Sequence, residues 1–594
     1  LRYQLFFTNS EFSRMRIIPR PVPQPQADAL RQAGVHPLLA QLYAARGVCS
    51  AQELDEAPAC LLAPTDLLGM DAAVDLLARA IAQRLRICIV ADYDCDGATA
   101  CAVAWRGLRL LGAAEVDYLV PDRIADGYGL TAPIARRVKD SGAQVLLTVD
   151  NGIASVDGVA QAKALGMQVL ITDHHLPGAQ LPQADALVNP NQPGCTFASK
   201  ALAGVGVMFY VLLALRAELR RRGHFSADRQ PRLEALLPLV ALGTVADVVP
   251  LDANNRRLVA LGLKRIRRGQ MPPGLHALFD AAGRKHALAS TFDLGFAIGP
   301  RINAAGRLAD MGIGIACLCS QDTARATELA QALDAINRQR RDIESGMRVQ
   351  ALRLVEDLCA DTATMPAALC VFDAGFHEGV VGIVAARIKD RLHRPCFVFA
   401  ASNAPGCGHE IKGSGRSIAG FHLRDALDLV AKRQPGLLLR FGGHAMAAGC
   451  TIARTDLPRF AHALAQVAQE RLDAATLQRC LHTDGPLRPE WRDAELITTL
   501  HRQVWGQGFA APTFSEEMQV LSQRLVGEKH LKLQLAHGGD SVDGIWFGRT
   551  EPLPARALLA YRPQVSEWRG QQRVEFVVEA LHAQDGAAPE GSAI

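Results

Sequence analysis

Between Asp71 and Pro190 the chain alternates short unbroken apolar runs with alanine-rich segments whose apolar positions recur at helical spacing. The runs RICIVA, EVDYLVP, QVLLTV, MQVLIT and DALVNP lack the alternating polarity of a strand with one wet face. Val, Ile and Leu without polar interruption suit strands covered on both sides. Three intervening segments, Ala98–Leu111, Thr131–Ser141 and Ser155–Leu165, read as crossover helices. That rhythm predicts a doubly wound α/β domain with a parallel sheet.

The pattern then changes. From Ala198 to about Asp361 helical periodicity dominates, and Thr323 to Leu358 contains no proline and only Gly346 as a glycine. Its charge density predicts a long, partly exposed helix joining two lobes; an ordinary surface helix of one domain is the other reading. Strand-like AALCVFDAG and RPCFVFAA flank a helical GVVGIVAARIKDRL, and glycine-rich loops with a helix at Leu457–Arg471 complete a second α/β unit. Beyond Gly485, MQVLSQRLV, HLKLQLAHG, SVDGIWFG and QRVEFVVEAL alternate with period two between turn residues, which predicts a small β-barrel or sandwich. The tail AQDGAAPEGSAI has the composition of a disordered segment, and no internal repeat is visible.

At 594 residues the chain exceeds what one core supports, so two to four domains are expected. Lys plus Arg exceed Asp plus Glu by only four, which confines any nucleic-acid surface to a local patch. The fourteen cysteines are scattered; the closest pair, Cys317 and Cys319, has no second pair at zinc-ligand spacing, and the thiols read as reduced. The opening residues lack a secretory core, with Met15 a candidate start. The longest apolar stretch, Leu233 to Ala246, is shorter than the ~20 residues a bilayer requires, so a cytoplasmic protein without membrane association is expected.

Charge enters at the ends of the apolar runs. Asp92, Asp94 and Asp96 lie in DYDCDG, Asp150 in TVDNG, Asp173, His174 and His175 in TDHH, and Asp247 in GTVADVVPL. In an open parallel sheet the ligand site lies outside the carboxyl ends of the strands. One Asp after a strand is ordinarily a turn or helix cap, and adjacent histidines are often surface residues. Three aspartates beside a buried strand repel one another, and a divalent cation removes that repulsion. Carboxylates with one or two imidazoles suit Mn²⁺ or Mg²⁺, and several carboxylates can hold two ions about 3.5 to 4 Å apart.

These four motifs, in this order and on these elements, resemble those of the DHH phosphoesterase superfamily. KGSGRS (Lys412–Ser417) and FGGHAMAAG (Phe441–Gly449) resemble its associated domain. With GPRINAAGRL, GQGFAAPTF and KHLKL the set is similar to the RecJ family of single-strand-specific 5′ exonucleases, over roughly Ala51 to Leu581. The resemblance implies an N-terminal extension over 1–50, a DHH domain over 51–320, a linking helix over 321–361, a DHH-associated α/β domain over 362–478, an OB-fold barrel over 479–585 and a disordered tail over 586–594.

It also implies roles. Asp94 and Asp96 serve one metal each, Asp150 bridges the two, and His174 with Asp247 completes the coordination of the second ion. Asp92 is a ligand or orients one; His175 stands beside the scissile phosphate as a metal neighbour or as a general acid. Many DHH enzymes carry a histidine where this chain has Val90, so the first metal site is expected to be the weaker. A pocket for a terminal phosphate draws on Arg123, Arg301, Ser414 and Arg416, with a surface ion pair as the alternative for Arg123. His444 is a donor in a segment whose other reading is a tight turn with a helix N-terminus, and Asn303 and Arg307 are phosphate contacts or packing residues. Trp546, Phe547, Lys529, His530 and Lys532 are available for single-strand contacts on the barrel, about half facing its core. The implied activity is two-metal hydrolysis of single-stranded DNA from the 5′ end to mononucleotides, in recombination and repair, with a single-strand-binding protein and a RecQ-type helicase as partners. The alternatives are a DHH enzyme acting on short oligonucleotides, cyclic dinucleotides or nucleoside bisphosphates, and a non-catalytic single-strand-binding scaffold.

Overall fold

The five apolar runs of the first half form one parallel sheet in the order Val116–Leu119, Ile87–Ala91, Val145–Val149, Gln168–Thr172, Ala186–Val188. The computed structural model describes residues 14–123, 126–360, 365–402, 408–537, 540–568 and 571–582; the tail read as disordered lies outside them. Every side chain of Ile87–Ala91 and Val145–Val149 is buried, because helices cover both faces. On one face Cys88, Val90, Leu146, Val169 and Ile171 pack against Ile134, Val138, Val159 and Ala162 of the helices Ala132–Asp140 and Val156–Ala164. The helices Cys95–Leu110 and Gly204–Arg221 pack against the other face, and Leu237–Ala246 packs on both of them.

In order of sequence the strands lie 2-1-3-4-5, which places a topological switch point between Ile87–Ala91 and Val145–Val149. Ala91, Val149 and Thr172 are in register across three adjacent strands, so Asp92, Asp150 and Asp173 leave the sheet side by side.

This sheet belongs to one compact unit, residues 50–340 and 502–511; residues 1–49, 341–501 and 512–594 form the other. The helix Thr323–Ala360, 38 residues long, contributes to both. Within the second unit a five-stranded sheet runs in the order Arg440–Gly443, Ala447–Ala453, Glu410–Arg416, Cys396–Ala401, Leu369–Phe372. The segments expected to be glycine-rich loops are strands. Side chains at Gly413 and Gly415 would stand 2.3 and 2.5 Å from the rings of Phe399 and Phe397, so glycine lets those phenylalanines lie across the strand. Phe460 of the helix Leu457–Arg471 meets both rings edge-on. FGGHAMAAG is likewise a hairpin, with the His444 N–H bonded to the Ala447 carbonyl, and not a turn leading into a helix.

The C-terminal strands close a barrel of Phe514–Val526, His530–His537, Asp540–Phe547, Gln571–His582 and Arg556–Trp568. Residues read as a separate N-terminal extension join it: Arg14–Pro19 lies parallel between Cys480–Thr483 and the last barrel strand. Buried Asp484 secures that junction, accepting two hydrogen bonds of 2.9 Å from Arg46 and one of 3.0 Å from the Thr513 N–H, with Arg20 at 3.3 Å. The described cysteines are free thiols, and no helix among the described residues is long and apolar enough to cross a membrane.

Candidate metal centre

The acidic residues converge at the strand ends. Three groups of ligand atoms, Asp92/Asp94/Asp150, Asp150/His174/His175 and Asp96/His174/Asp247, each lie within 4.8 Å of one another. Asp150 belongs to two groups, and so does His174, whose Nε2 is 3.1 Å from Asp150 and 3.5 Å from Asp247.

Each carboxylate is fixed by local structure. Asp94 caps the helix Cys95–Leu110, accepting the Gly97 N–H at 2.9 Å, and Asp92 accepts the Tyr93 N–H at 2.7 Å. Asp96 is buried in the first turn of that helix and accepts the N–H groups of Gly204 and Val205 at 2.7 and 3.0 Å, where the positive end of a second helix meets it. Asp247 follows the last turn of Leu237–Ala246. Asp150 adopts a left-handed backbone conformation (φ +60°), one that asparagine and aspartate tolerate best. The next residue, Asn151, anchors it by donating to the carbonyls of Val90 and Val149 at 3.0 and 2.9 Å. Gly204 must be glycine: a Cβ there would lie 2.4 Å from Asp150 Oδ1. Val90 is buried in the sheet and offers no ligand atom.

Burial dominates the electrostatics. Desolvation, followed by the charge of Asp94, pushes the Asp92 carboxyl up to about 8 and Asp247 up to about 7. Burial first and then neighbouring carboxylates drive Asp96 and Asp150 well above the usual range. The Oδ1 of Asp150 and Oδ2 of Asp247 are buried acceptors with no hydrogen-bond donor, standing 3.1 and 3.5 Å from His174 Nε2. Such a set is costly as bare carboxylates and fits a divalent cation.

His175 differs from His174. Its Nδ1 lies 2.8 Å from Asp173, itself buried and held by the Ile153 N–H at 2.8 Å. Burial pulls the imidazole pKa down, but the hydrogen bond and charge of Asp173 overcome it and raise it to about 9. The Tyr128 hydroxyl stands 3.3 Å from the same ring, and Tyr128 meets Tyr93 edge-on, with Arg123 stacked 5.0 Å over Tyr93. Sequence reasoning assigned no role to Asp173, Asn151, Tyr93, Tyr128 or Gly204. Tyr93 lies inside DYDCDG, between two of the aspartates already singled out, and its aromaticity there was the available signal.

Comparison with known proteins agrees along the chain. Residues 86–244 match the DHH family, N-terminal domain; 364–470 match the DHHA1 domain; 483–580 match the RecJ OB domain. The single-stranded-DNA-specific exonuclease RecJ of Dickeya dadantii is 46% identical over 578 residues, covering 96% of this chain and all of that protein. The Escherichia coli K12 protein of the same name is 46% identical over 92% of this chain and 96% of its own. The chain belongs to the RecJ family. A crystal structure of RecJ from Thermus thermophilus in complex with Mn²⁺ superposes with a TM-score of 0.79 at 29% identity, covering 96% of this chain and 80% of that one. The same protein with Mg²⁺ gives 0.73 at 28%, with coverage of 96% and 79%.

Among the residues that the RecJ resemblance assigned to substrate phosphate, Arg301 already has partners within the fold. It is buried, its Nε and Nη2 bind Asp334 at 3.0 and 2.8 Å, and its Nη1 donates to the Ala297 carbonyl at 2.6 Å. Asn303 holds the metal loop, its Oδ1 accepting the Cys95 N–H at 2.8 Å. Arg307 is half-buried near Tyr93, and Arg123 is exposed. In the other unit Ser414 and Arg416 share one face of the strand Glu410–Arg416, with Arg416 Nη1 donating to Ser414 Oγ at 3.1 Å. His444 is exposed at the hairpin turn. On the barrel Trp546 is core, while Phe547 is 55% exposed and meets His530 edge-on; Lys532 pairs with Glu575.

Proposed function

We propose that this chain is a single-stranded-DNA-specific exonuclease that works from the 5′ end, releases 5′-mononucleotides and depends on Mn²⁺ or Mg²⁺. The observation that carries this reading is the pair of buried, donorless carboxylate oxygens on Asp150 and Asp247, within overlapping ligand groups at the switch point. Asp92, Asp94, Asp96, Asp150, His174 and Asp247 hold two divalent cations, which when bound neutralise phosphoryl charge and activate water.

The remaining roles belong to the chain's own groups. Asp96 and Asp150 are fixed by backbone N–H donors and by Asn151, so the site is organised before substrate arrives. His175, kept cationic by Asp173, carries a proton on Nε2 for the leaving oxygen. Arg123 offers a planar fork for a terminal phosphate beside the two tyrosines. Arg301 and Arg307, and in the other unit Ser414, Arg416 and His444, are further candidate phosphate contacts, and the barrel supports a polymeric substrate over a dinucleotide. A cytoplasmic role in recombination and repair, alongside a single-strand-binding protein and a RecQ-type helicase, completes the reading.

The test follows 5′-labelled, 5′-phosphorylated single-stranded DNA and its duplex with Mn²⁺, Mg²⁺ or EDTA, beside Asp96→Ala. Labelled mononucleotide appearing first, only from the single strand, only with metal and only with Asp96, is the expected result. Label retained while the 3′ end shortens would reverse the polarity; binding without cleavage in every metal would reduce the chain to a scaffold.

A further inference from the structure

Most of the aromatic side chains serve the cores, but one stacked pair does not. Phe292 and Phe296 stack on each other at 4.9 Å between ring centroids and 26° between planes, yet are 53% and 68% exposed. Every other stacked aromatic pair among the described residues is buried. The two rings gain little from burial, so their place in the fold does not explain them.

The segment that displays them is rigid and leads into the metal centre. It is a π-helical turn, Asp293–Ile298, a rare geometry concentrated at functional sites. Asp293 pins its start by accepting from the Ser290 N–H and Oγ at 3.0 and 2.7 Å. Its far side packs on the helix that ends at Asp247: Cβ atoms at Gly295 and Gly299 would stand 3.3 Å from Val245 and 3.1 Å from Ala246. The helix Gly299–Leu308 then continues to Asn303, which holds the Cys95 N–H between Asp94 and Asp96. One continuous helical stretch therefore joins the exposed rings to the loop that carries two of the candidate ligands. Exposed Val248, the residue after Asp247, adds apolar surface; Arg284, which pairs with Asp293 at 3.6 Å, and exposed Lys285 add positive charge one segment earlier.

Flat apolar faces beside cations, continuous with a phosphodiester site, match the chemistry of a single strand, whose bases stack while its phosphates meet Lys and Arg. We infer that Phe292 and Phe296 form a stacking platform for a base of the single-stranded substrate, fixing the strand relative to the metal loop. This rests on the nuclease reading above and adds base-stacking residues to it.

The test measures binding of 5′-phosphorylated 12-mers without metal, with a single abasic site walked along the strand, to the full chain and to Phe292→Ala/Phe296→Ala. The double variant should bind the intact strand about tenfold more weakly, equivalent to about 1.4 kcal/mol. At one position the abasic site should weaken the parent by a similar factor and leave the double variant unchanged, a coupling that a purely structural effect does not produce. Phe296→Trp should bind as the parent does, and Phe296→Leu, which keeps apolar area without a flat face, should behave like the alanine variant. Unchanged thermal melting shows that the variants fold. Equal affinities, or the same abasic penalty in both proteins at every position, overturn the platform. A parent chain that neither binds nor cuts any single strand instead overturns the nuclease reading.

Discussion

Loading the metal centre should expel protons, and the structure sets how many. The perturbation is addition of saturating Mn²⁺ or Mg²⁺ to metal-free protein at constant pH. With the Asp92 carboxyl at about 8 and Asp247 at about 7, the first is roughly nine-tenths and the second roughly half protonated at pH 7. Ligation requires both ionised, so these two groups alone release about 1.4 protons. Asp96 and Asp150, raised further by burial and mutual repulsion, add up to about one each, for a range of roughly 1.4 to 3.4. At pH 8.5 the share from Asp92 and Asp247 falls to about 0.3 by the same arithmetic, so release should drop by about one proton. Calorimetric titration in buffers of different ionisation enthalpy reads this directly. The stability sign follows: carboxyls raised in the folded state bind more protons folded than unfolded, so the metal-free chain loses stability as pH rises from about 4 to 8. The gap in melting temperature between loaded and metal-free protein should widen over that window. Tight binding at pH 7 with fewer than about half a proton released would refute the claim that these carboxylates are desolvated, mutually repelling ligands.

Other perturbations separate chemistry from scaffolding. Gly204→Ala places a methyl group 2.4 Å from Asp150 Oδ1, so metal affinity and cleavage should collapse for about 1–3 kcal/mol of overpacking; unimpaired cleavage would show that Asp150 is free to move. Arg301→Ala removes one of the two guanidinium partners of buried Asp334, Arg338 being the other, and should cost about 1–3 kcal/mol in denaturant unfolding; a KM effect confined to 5′-phosphorylated DNA would place Arg301 in the phosphate pocket as well. Arg123→Ala, at an exposed side chain, should leave melting unchanged and cut the preference for 5′-phosphate over 5′-hydroxyl ends about tenfold, the worth of one charge-assisted contact.

The parallel sheet was legible because its strands are buried on both faces, and full burial writes itself as uninterrupted Val, Ile and Leu. Where pairing depends on distant partners, local pattern fails. Arg14–Pro19 is held by ladders to strands more than 450 residues away and by the hydrogen bond from the Ile17 N–H to His582 Nδ1, none of which a local window can contain. Arg556–Trp568 was hidden by Pro563, a residue that argues against a strand. The strand tolerates it because pairing with Phe514–Gln519 ends at Tyr561, so Pro563 faces a partner only on the side of Phe576. KGSGRS conceals a strand for the opposite reason: Gly413 and Gly415 leave room that Phe399 and Phe397 fill, and the apolar signal belongs to the neighbouring strand.

The same distinction divides the site. Asp92, Asp150 and Asp173 could be brought together on paper because parallel strands in register end together, a consequence of topology alone. Arg301 could not be judged that way. Within GPRINAAGRL it looks like a free cation, and only the fold reveals its buried ion pair with Asp334, on another helix. Asn303, two residues later, points instead to the metal loop. Residues bound to strand ends inherit their neighbours from the sheet, whereas residues on a helix acquire theirs from whatever packs on each face. A motif on a helix therefore names candidates, among them Arg307, half-buried near Tyr93, but does not say which of them reach the substrate.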